Sequence, residues 1–290
     1  MKIAFLGTGL MGTGFVRRFA AQGHSVQVWN RSADKARALE APGVRAFADA
    51  AAAVAGAQRI HLSLSDDASV DAVLEPLAAA ITPTTWIVDH TTTAAHATAE
   101  RAARWAARGR TYVHAPVFMG PGNAAEGTGV MLLCGPRAQH DALLPHLQPM
   151  TGTVVYLGEA PERAAAFKLL GNLTILGLLG VLGDVARLAQ AMGIATADAY
   201  SLFKHFNPGA TLTARAARIE QGPHSPPLFE TSMARKDVRL MIEAAQRGGV
   251  DLQLMPALAE LFDAAIARGE GGLDVAAAVQ APGARRAPTH

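Results

Sequence analysis

The sequence predicts an α/β fold: a doubly wound parallel sheet followed by a second, all-helical domain. Three observations support this prediction. Short apolar runs alternate with helical stretches over the first 115 residues, as in repeated βαβ units. The opening run, residues 3–6, leads through closely spaced glycines into a helical pattern. From Pro161 onward the strand pattern gives way to almost continuous helix-forming sequence.

The elements follow this alternation in order. Strands are expected at residues 3–6, 25–29, 43–47, 59–65, 86–89 and 111–115, with two edge strands at 130–134 and 154–157. Helices are expected after the glycines and at 34–40, 49–54, 66–77 and 95–108, then at 162–192, 198–205, 211–221, 232–247 and 255–269. The long helix, rich in glycine, is expected to be the buried core of the second domain. The predicted domains are residues 1–160 and 161–280, with a disordered tail at 281–290.

Composition limits the classes of function. Half of the 290 residues are hydrophobic, so a sizeable core is available. The net charge of +2 and the absence of a basic run argue against nucleic acid. Cys134 is the single cysteine, which excludes an internal disulfide and fits a reducing cytosol. The uncharged apolar stretch at residues 169–183 is shorter than the roughly 20 residues that cross a bilayer. A cytoplasmic protein is therefore expected.

Three glycines after the first strand have the G-x-G-x-x-G spacing of dinucleotide-binding folds. Gly7 permits the tight turn, Gly9 lets backbone approach a pyrophosphate, and Gly12 lets helix and strand pack closely. The helix N-terminus then offers N–H groups and a positive dipole end to the phosphates. We therefore predict a Rossmann domain. Its expected cofactor contacts in this segment are Gly7, Thr8, Gly9, Leu10, Met11 and Gly12.

The end of the second strand indicates which dinucleotide binds. NAD-binding domains usually carry a carboxylate there, which bonds the ribose 2′-OH. This chain has Asn30, Arg31 and Ser32 instead. The guanidinium of Arg31 can pair with a 2′-phosphate, and Ser32 can donate a hydroxyl. NADP(H) is therefore favoured over NAD(H).

Several motifs together resemble those of the β-hydroxyacid dehydrogenases, the 3-hydroxyisobutyrate dehydrogenase-like family. They are G-T-G-L-M-G (7–12), W-N-R-S (29–32), L-S-D (64–66), D-H-T-T (89–92), A-P-V (115–117), A-E-G-T (125–128), K-L-L-G-N (168–172) and R-K-D-V-R-L (235–240). The chain is most similar to the NADPH-dependent glyoxylate/succinic semialdehyde reductase branch. The resemblance covers the chain from Ile3 to about Val279. It implies an oxidoreductase acting on CH–OH groups, assembled as a homodimer or larger homo-oligomer.

By this resemblance, the family's catalytic lysine corresponds to Lys168 and its substrate-orienting asparagine to Asn172. The two residues are one helical turn apart, so they share a helix face. An apolar helix desolvates a lysine and lowers its pKa toward a useful range for proton transfer. Arginine would keep its proton. The chain has 21 arginines and 5 lysines, so a lysine in apolar surroundings is notable.

The resemblance also implies further cofactor contacts, at Leu64, Ser65, Thr92, Phe229 and Lys236. Alternatives stay open for three of them. Thr92 could be a helix cap, Phe229 an ordinary core residue, and Lys236 a solvated partner of Asp237.

The substrate loop departs from the family pattern. Where the family has A-P-V-S-G-G, this chain reads A-P-V-F-M-G, so Phe118 and Met119 replace a serine and a glycine. A hydroxyl donor is lost, and two bulky apolar groups are expected at the pocket. The N–H groups of Met119 and Gly120 remain candidates for binding an anion.

We therefore expect an NADPH-dependent oxidoreductase acting on a small 3-hydroxy acid, semialdehyde or related carbonyl compound. Two alternatives remain. One is an imine reductase on the same fold, for which Phe118 and Met119 leave room although Lys168 argues against it. The other is a non-catalytic NADP-binding protein, against which Lys168 and Asn172 both argue. No metal site is expected, because the histidines show no ligand spacing. His90 and His114 are expected to be packing residues.

Overall fold

The computed structural model describes residues 1–280, and the chain divides into two compact units at Leu173/Thr174. This division lies inside a helix that the sequence analysis assigned wholly to the second domain. The tail predicted at residues 281–290 lies outside the described residues.

The first unit is built on a sheet of six parallel strands, as predicted. The strands are β1 (Lys2–Leu6), β2 (Ser25–Trp29), β3 (Val44–Ala46), β4 (Arg59–Leu62), β5 (Trp86–Asp89) and β6 (Thr111–His114). Their order is β3-β2-β1-β4-β5-β6. The crossover helices are α1 (Leu10–Ala21), α2 (Ala33–Arg37), α3 (Ala50–Val54), α4 (Asp67–Leu74) and α5 (Ala95–Ala107). The order reverses beside β1, which defines the switch point where ligands bind in such sheets.

Both faces of this sheet are buried, which explains why its strands are apolar runs rather than alternating patterns. In β1, Ile3 and Phe5 point into one core cluster, with Phe15 and Phe19 of α1. Ala4 and Leu6 point into the other cluster on the opposite face. Successive strand side chains alternate between faces, so one short strand contributes to both layers.

A separate three-stranded sheet corrects the prediction of two added edge strands. It contains β7 (Val117–Phe118), β8 (Val130–Leu133) and β9 (Thr153–Tyr156), with β7 antiparallel and β9 parallel to β8. Pro116 has no N–H to continue a ladder, and its carbonyl instead accepts from Leu132 N–H. The helices α6 (Pro121–Glu126) and α7 (Arg137–Leu147), like β7, were not predicted.

The long helix α8 (Arg163–Ala191) forms where it was predicted, but it is not the buried core helix expected from its glycines. Leu173 is 71% exposed and Leu176 is 65% exposed. Gly177 has no neighbour that a side chain there would meet, so close approach is not its purpose in this chain. By length and composition α8 is also the described helix that could cross a membrane, a test that helices of soluble proteins pass too.

The second unit is helical, as predicted, and comprises α9 (Thr196–Ser201), α10 (Leu212–Gln221), α11 (Thr231–Arg247), α12 (Met255–Ala267) and α13 (Val275–Ala278). Val238 of α11 and Phe262 of α12 belong to its core cluster. Asp184 of α8 stabilises the start of α12, because its carboxylate accepts from the N–H groups of Gln253 and Leu254 at 2.8 Å each.

Candidate cofactor and substrate site

The carboxyl ends of five strands lie level at one rim of the six-stranded sheet. Leu6 is in register with Trp29 and Leu62, Leu62 with Asp89, and Asp89 with His114. The loops that follow these residues therefore begin at the same height, as the sequence analysis expected. The unit 1 site residues predicted from sequence lie in these loops, in the first turn of α1, in β7 and the turn after it, or in the first three turns of α8.

The glycine loop after β1 has the conformation that its motif predicts. Gly7 has a φ of +98°, and a side chain there would meet Ser63 O at 2.3 Å. A side chain at Gly12 would meet Gly7 O at 1.9 Å, so α1 packs directly on the turn. Gly9 is the N-cap and has open space around it. The first turn of α1 carries no capping side chain and no acidic residue, which leaves its N–H groups available to a phosphate.

Thr8 and Asn30 connect this loop to the end of β2. Thr8 N–H donates to Asn30 Oδ1 at 3.0 Å, and Asn30 Nδ2 donates to Ser32 O at 3.1 Å. The predicted cofactor contact Asn30 therefore has its amide engaged with backbone. Thr8 Oγ1 is buried and has no hydrogen-bond partner among the described residues. An unsatisfied buried hydroxyl beside an uncapped helix N-terminus fits a dinucleotide pyrophosphate.

Arg31 and Ser32 are exposed at the end of β2, where a 2′-phosphate would require them. The charge of Arg31 reaches the loop after β4. Hydrogen bonds from Ser69 lower the pKa of Asp66 below its usual value, and Arg31 adds a smaller effect in the same direction. Arg31 thus lies in the electrostatic field of that loop without a salt bridge to it among the described residues.

The remaining predicted contacts in this unit lie at the same rim. Leu64 packs against the core and its N–H donates to Thr91 Oγ1 at 3.0 Å. Ser65 Oγ is 2.7 Å from Ser69 Oγ. Leu10 is exposed, whereas Met11 packs on the core.

Thr92 is exposed between the buried Thr91 and Thr93. The N-cap of α5 is Ala94, so Thr92 is not a helix cap and that alternative is wrong. Its exposure at the end of β5 leaves the side chain accessible to a ligand at the rim.

Lys168 lies in the second turn of α8 and its side chain reaches back to β7. Its Nζ donates to Val117 O at 2.7 Å and lies 4.3 Å from the centroid of the Phe118 ring. Burial lowers the pKa of Lys168 below the usual lysine value. Asn172 follows one turn later, partly buried, and its side chain makes no hydrogen bond within the described part of the chain. The predicted pair therefore combines a desolvated amine with an uncommitted amide.

The substrate loop differs from its prediction in two respects. Met119 packs on the core of the first unit rather than standing free at the pocket. The N–H of Gly120, expected to be open to an anion, donates to Asn123 Oδ1 at 2.9 Å. Phe118 lies against Gly171 of α8, where a side chain would meet the ring at 2.1 Å. This contact accounts for a glycine that would otherwise weaken a helix by up to about 1 kcal/mol.

Buried histidines form hydrogen bonds beneath the rim, among residues at the ends of β4, β5 and β6. The Ala115 carbonyl can only accept, so His90 Nδ1 carries a hydrogen and donates to it at 2.7 Å. His90 Nε2 is then the acceptor for His61 Nδ1, 3.0 Å away. His114 Nε2 contacts Thr91 O at 2.8 Å. Burial lowers the pKa of all three rings, that of His90 to about 4. His90 and His114 are buried packing residues, as expected.

Two predicted cofactor contacts lie in the helical unit. Phe229 is 44% exposed and lines a cavity of about 470 Å³ with residues of α10 and α13, so it is not a core residue. Lys236 is exposed and its ammonium lies 3.0 Å from Asp237, the pairing held open as an alternative. Their roles toward a cofactor stay predictions.

Comparison with known families identifies the class of protein. A model of the NAD binding domain of 6-phosphogluconate dehydrogenase matches residues 2–158, and a model of the NAD-binding of NADP-dependent 3-hydroxyisobutyrate dehydrogenase matches residues 163–281. Together with the sheet and its glycine loop, they define an oxidoreductase with a nicotinamide dinucleotide cofactor. The chain belongs to the 3-hydroxyisobutyrate dehydrogenase-like family, which confirms the resemblance drawn from its motifs.

Individual relatives extend this result. The chain is 28% identical to a probable 3-hydroxyisobutyrate dehydrogenase of Mycobacterium bovis, covering 98% of both. An imine reductase of Myxococcus stipitatus with NADP+ has the same fold, with a TM-score of 0.90 at 18% identity over 96% of this chain and 98% of that one. A reductive aminase of Aspergillus terreus with NADPH and ethyl-5-oxohexanoate has a TM-score of 0.87 at 25% identity, with the same coverage. The chain spans about half the length of several other curated relatives.

Sequence reasoning did not find Val117, Asn123 and Gly171 as parts of the site. A local signal existed for Asn123, because it is the third residue of a helix that begins with Pro121. Val117 contributes a backbone carbonyl and Gly171 contributes space, and neither leaves a side-chain signature.

Proposed function

We propose that the protein is an NADPH-dependent reductase that transfers hydride between the nicotinamide and a carbonyl/hydroxyl carbon, with Lys168 as acid/base. The observation that carries this proposal is the environment of Lys168. Its amine is half buried with a lowered pKa, and it lies one helical turn from the uncommitted amide of Asn172. A lysine with a lowered pKa can exchange a proton, which an arginine cannot do.

When bound, NADPH supplies the hydride. Lys168 then donates a proton from Nζ to the oxygen of the reduced carbonyl, and in the reverse direction it removes that proton. Asn172 orients the oxygen by hydrogen bonding. The wall of the pocket is formed by residues 118–120. Proton transfer from a positioned side chain typically contributes 10²–10⁴-fold to the rate.

The proposed cofactor is NADP(H), held by the glycine loop and by the end of β2. Thr8 Oγ1 and the first turn of α1 would bind the pyrophosphate, while Arg31 and Ser32 would bind the 2′-phosphate. The absence of a carboxylate at the end of β2 supports the choice over NAD(H). The matched reductase structures with NADP+ or NADPH support it as well.

Imine reduction is the second candidate function. The apolar Phe118 beside Lys168 favours it, and so do the relatives named imine reductase and reductive aminase. A lysine can protonate a nitrogen as well as an oxygen, so the same residues would serve either reaction. A small 3-hydroxy acid remains the substrate that the named 3-hydroxyisobutyrate dehydrogenase relative supports.

A substrate screen with NADPH and NADH tests these proposals. It includes glyoxylate, succinic semialdehyde, tartronate semialdehyde, bulkier ketones and cyclic imines. We expect NADPH-linked turnover of carbonyl compounds, with NADH slower. Turnover of imines alone would select the second candidate. Tight NADPH binding without turnover on any member of the panel would contradict both and indicate a non-catalytic NADP-binding protein.

We further propose a cytoplasmic homodimer or larger homo-oligomer, in which a second copy covers the exposed apolar residues of α8. Leu173, Leu176 and Leu179 are each more than half exposed, and free surfaces of this kind usually mark an interface. Light scattering on the purified protein should give at least twice the 30.2 kDa of the chain. A monomer, or a protein extracted only with detergent, would contradict this assembly.

A further inference from the structure

The loop at residues 117–120 holds the ammonium of Lys168 from two sides. The Val117 carbonyl accepts from Nζ at 2.7 Å, and the neighbouring Phe118 ring lies 4.3 Å away. A carbonyl oxygen and the face of an aromatic ring both favour a positive charge. Within the described part of the chain, no acidic side chain pairs with Lys168, and burial lowers its pKa. The position and charge of the amine therefore depend on this loop.

Phe118 itself packs against α8. A side chain at Gly171 would meet ring atoms Cζ at 2.1 Å and Cε1 at 2.5 Å. Gly171 follows Lys168 by three residues, so both lie on the same helix face. The ring fills the space that the missing side chain at Gly171 leaves, and in this position it contacts the ammonium of Lys168.

Of the two N–H groups in this loop that were expected to bind an anion, that of Gly120 is committed, and that of Met119 stays a candidate. Gly120 N–H already donates to Asn123 Oδ1, whose Nδ2 donates to Thr128 Oγ1 at 2.9 Å. Phe118 supplies no hydroxyl, and the negative face of its ring repels an anion. A carboxylate bound beside Lys168 would therefore lie against the Phe118 ring, without a hydroxyl and without the Gly120 N–H to bind it.

We propose that Phe118 is a positioning residue for Lys168 and that its ring partly excludes substrates that carry a carboxylate. The site then favours uncharged carbonyl or imine compounds. This inference rests on the proposed function, in which Lys168 is the acid/base. It narrows that function, because a 3-hydroxy acid or a short semialdehyde acid becomes a poor substrate.

The positioning part is tested by measuring the pKa of Lys168 directly in the full-length protein. Competitive labelling with acetic anhydride across a pH series, read by mass spectrometry, reports this pKa without any need for activity. Phe118→Leu keeps apolar bulk but removes the ring, and we expect it to lower the pKa by roughly half a unit. Phe118→Tyr keeps the ring and should leave the pKa at the parent value. An unchanged pKa in Phe118→Leu would overturn the positioning role.

The specificity part is tested with a matched pair of substrates, succinic semialdehyde and its methyl ester. We expect the parent to prefer the ester by roughly tenfold or more in kcat/KM, since the carboxylate of the acid would lie against the Phe118 ring with the Gly120 N–H already committed. Phe118→Ser, alone and with Asn123→Ala, should reduce this preference. Equal kcat/KM for acid and ester in the parent would overturn the exclusion. If neither compound is turned over, the proposed function fails, while the labelling experiment still decides whether Phe118 positions Lys168.

Discussion

The cofactor side and the substrate side of the candidate site differ in how many of their hydrogen-bond donors already have acceptors. On the cofactor side, the first turn of α1 has no capping side chain, and Thr8 Oγ1 has no partner among the described residues. On the substrate side, Lys168 donates to Val117 O and Gly120 N–H donates to Asn123. The cofactor side leaves these donors open, whereas the substrate side commits two of its donors internally and leaves the Asn172 amide open.

This difference shows what each side is built to receive. A buried polar group without a partner costs about 1–3 kcal/mol, so the cofactor side is completed by an anion that supplies acceptors. The substrate side gains less from an anion, because the Lys168 amine and the Gly120 N–H already have acceptors and the face of the Phe118 ring repels negative charge. The comparison therefore predicts a charged cofactor held by open donors beside an uncharged substrate held by shape.

The largest expected effect comes from removing the amine at the substrate side. Lys168→Ala should lower kcat by about 10²–10⁴-fold, the usual contribution of proton transfer, while the NADPH dissociation constant changes little. Lys168→Arg should be comparably slow, because arginine keeps its proton. Steady-state kinetics and a fluorescence titration with NADPH separate the two quantities. The exposed Lys204 provides the control, and Lys204→Ala should resemble the parent. Near-normal turnover by Lys168→Ala would remove the acid/base assignment.

The parent's pH profile sharpens the same prediction. Burial places the pKa of Lys168 below the ordinary 10.5. A general acid must be protonated, so the rate of reduction should fall as pH rises through this lowered pKa. The fall should be absent in the residual activity of Lys168→Arg.

A smaller effect is expected on the cofactor side, at the end of β2. Arg31→Ala should weaken NADPH binding by about 10–100-fold, since it removes charge-assisted hydrogen bonds to the 2′-phosphate. NADH lacks that phosphate, so its affinity should change by no more than about twofold. Calorimetric titrations with both cofactors measure the difference, and Arg137→Ala, at an exposed arginine of α7, is the control. Equal losses of affinity for NADPH and NADH would show that Arg31 does not bind the 2′-phosphate.

The two sides also differ in how far the sequence predicted them. The cofactor side follows from local signals, because glycine spacing, strand and helix all lie within residues 2–29. The substrate side depends on contacts between distant segments. Val117 and Lys168 are 51 residues apart, and no periodicity relates them. The helix carrying Lys168 and Asn172 was predicted, but the contact between Phe118 and Gly171 was not.

The misjudged burial of α8 has a related cause. Apolar composition and glycine content show that a helix avoids water, but they do not show what covers it. Here Leu173 and Leu176 are exposed in the chain itself, so their cover is not within the described residues. Similarly, strands β8 and β9 were predicted correctly, but their sheet was not, because Pro116 ends one ladder and turns the chain into another.

The smallest expected effect concerns the buried histidines beneath the rim. His61 and His90 have a lowered pKa in the folded protein, so the unfolded chain binds more protons below the ordinary value of 6.5. Their contribution to stability is therefore complete above pH 6.5 and is lost as pH falls from 6.5 toward about 4. Chemical denaturation between pH 7.5 and roughly pH 4.5 should show this loss. His61→Phe retains a ring between Phe5 and Phe19 and should make the decline shallower, by up to about 1.4 kcal/mol per pH unit. The exposed His96 of α5 is the control, and a decline in His61→Phe as steep as in His96→Gln would exclude the buried pair as its source.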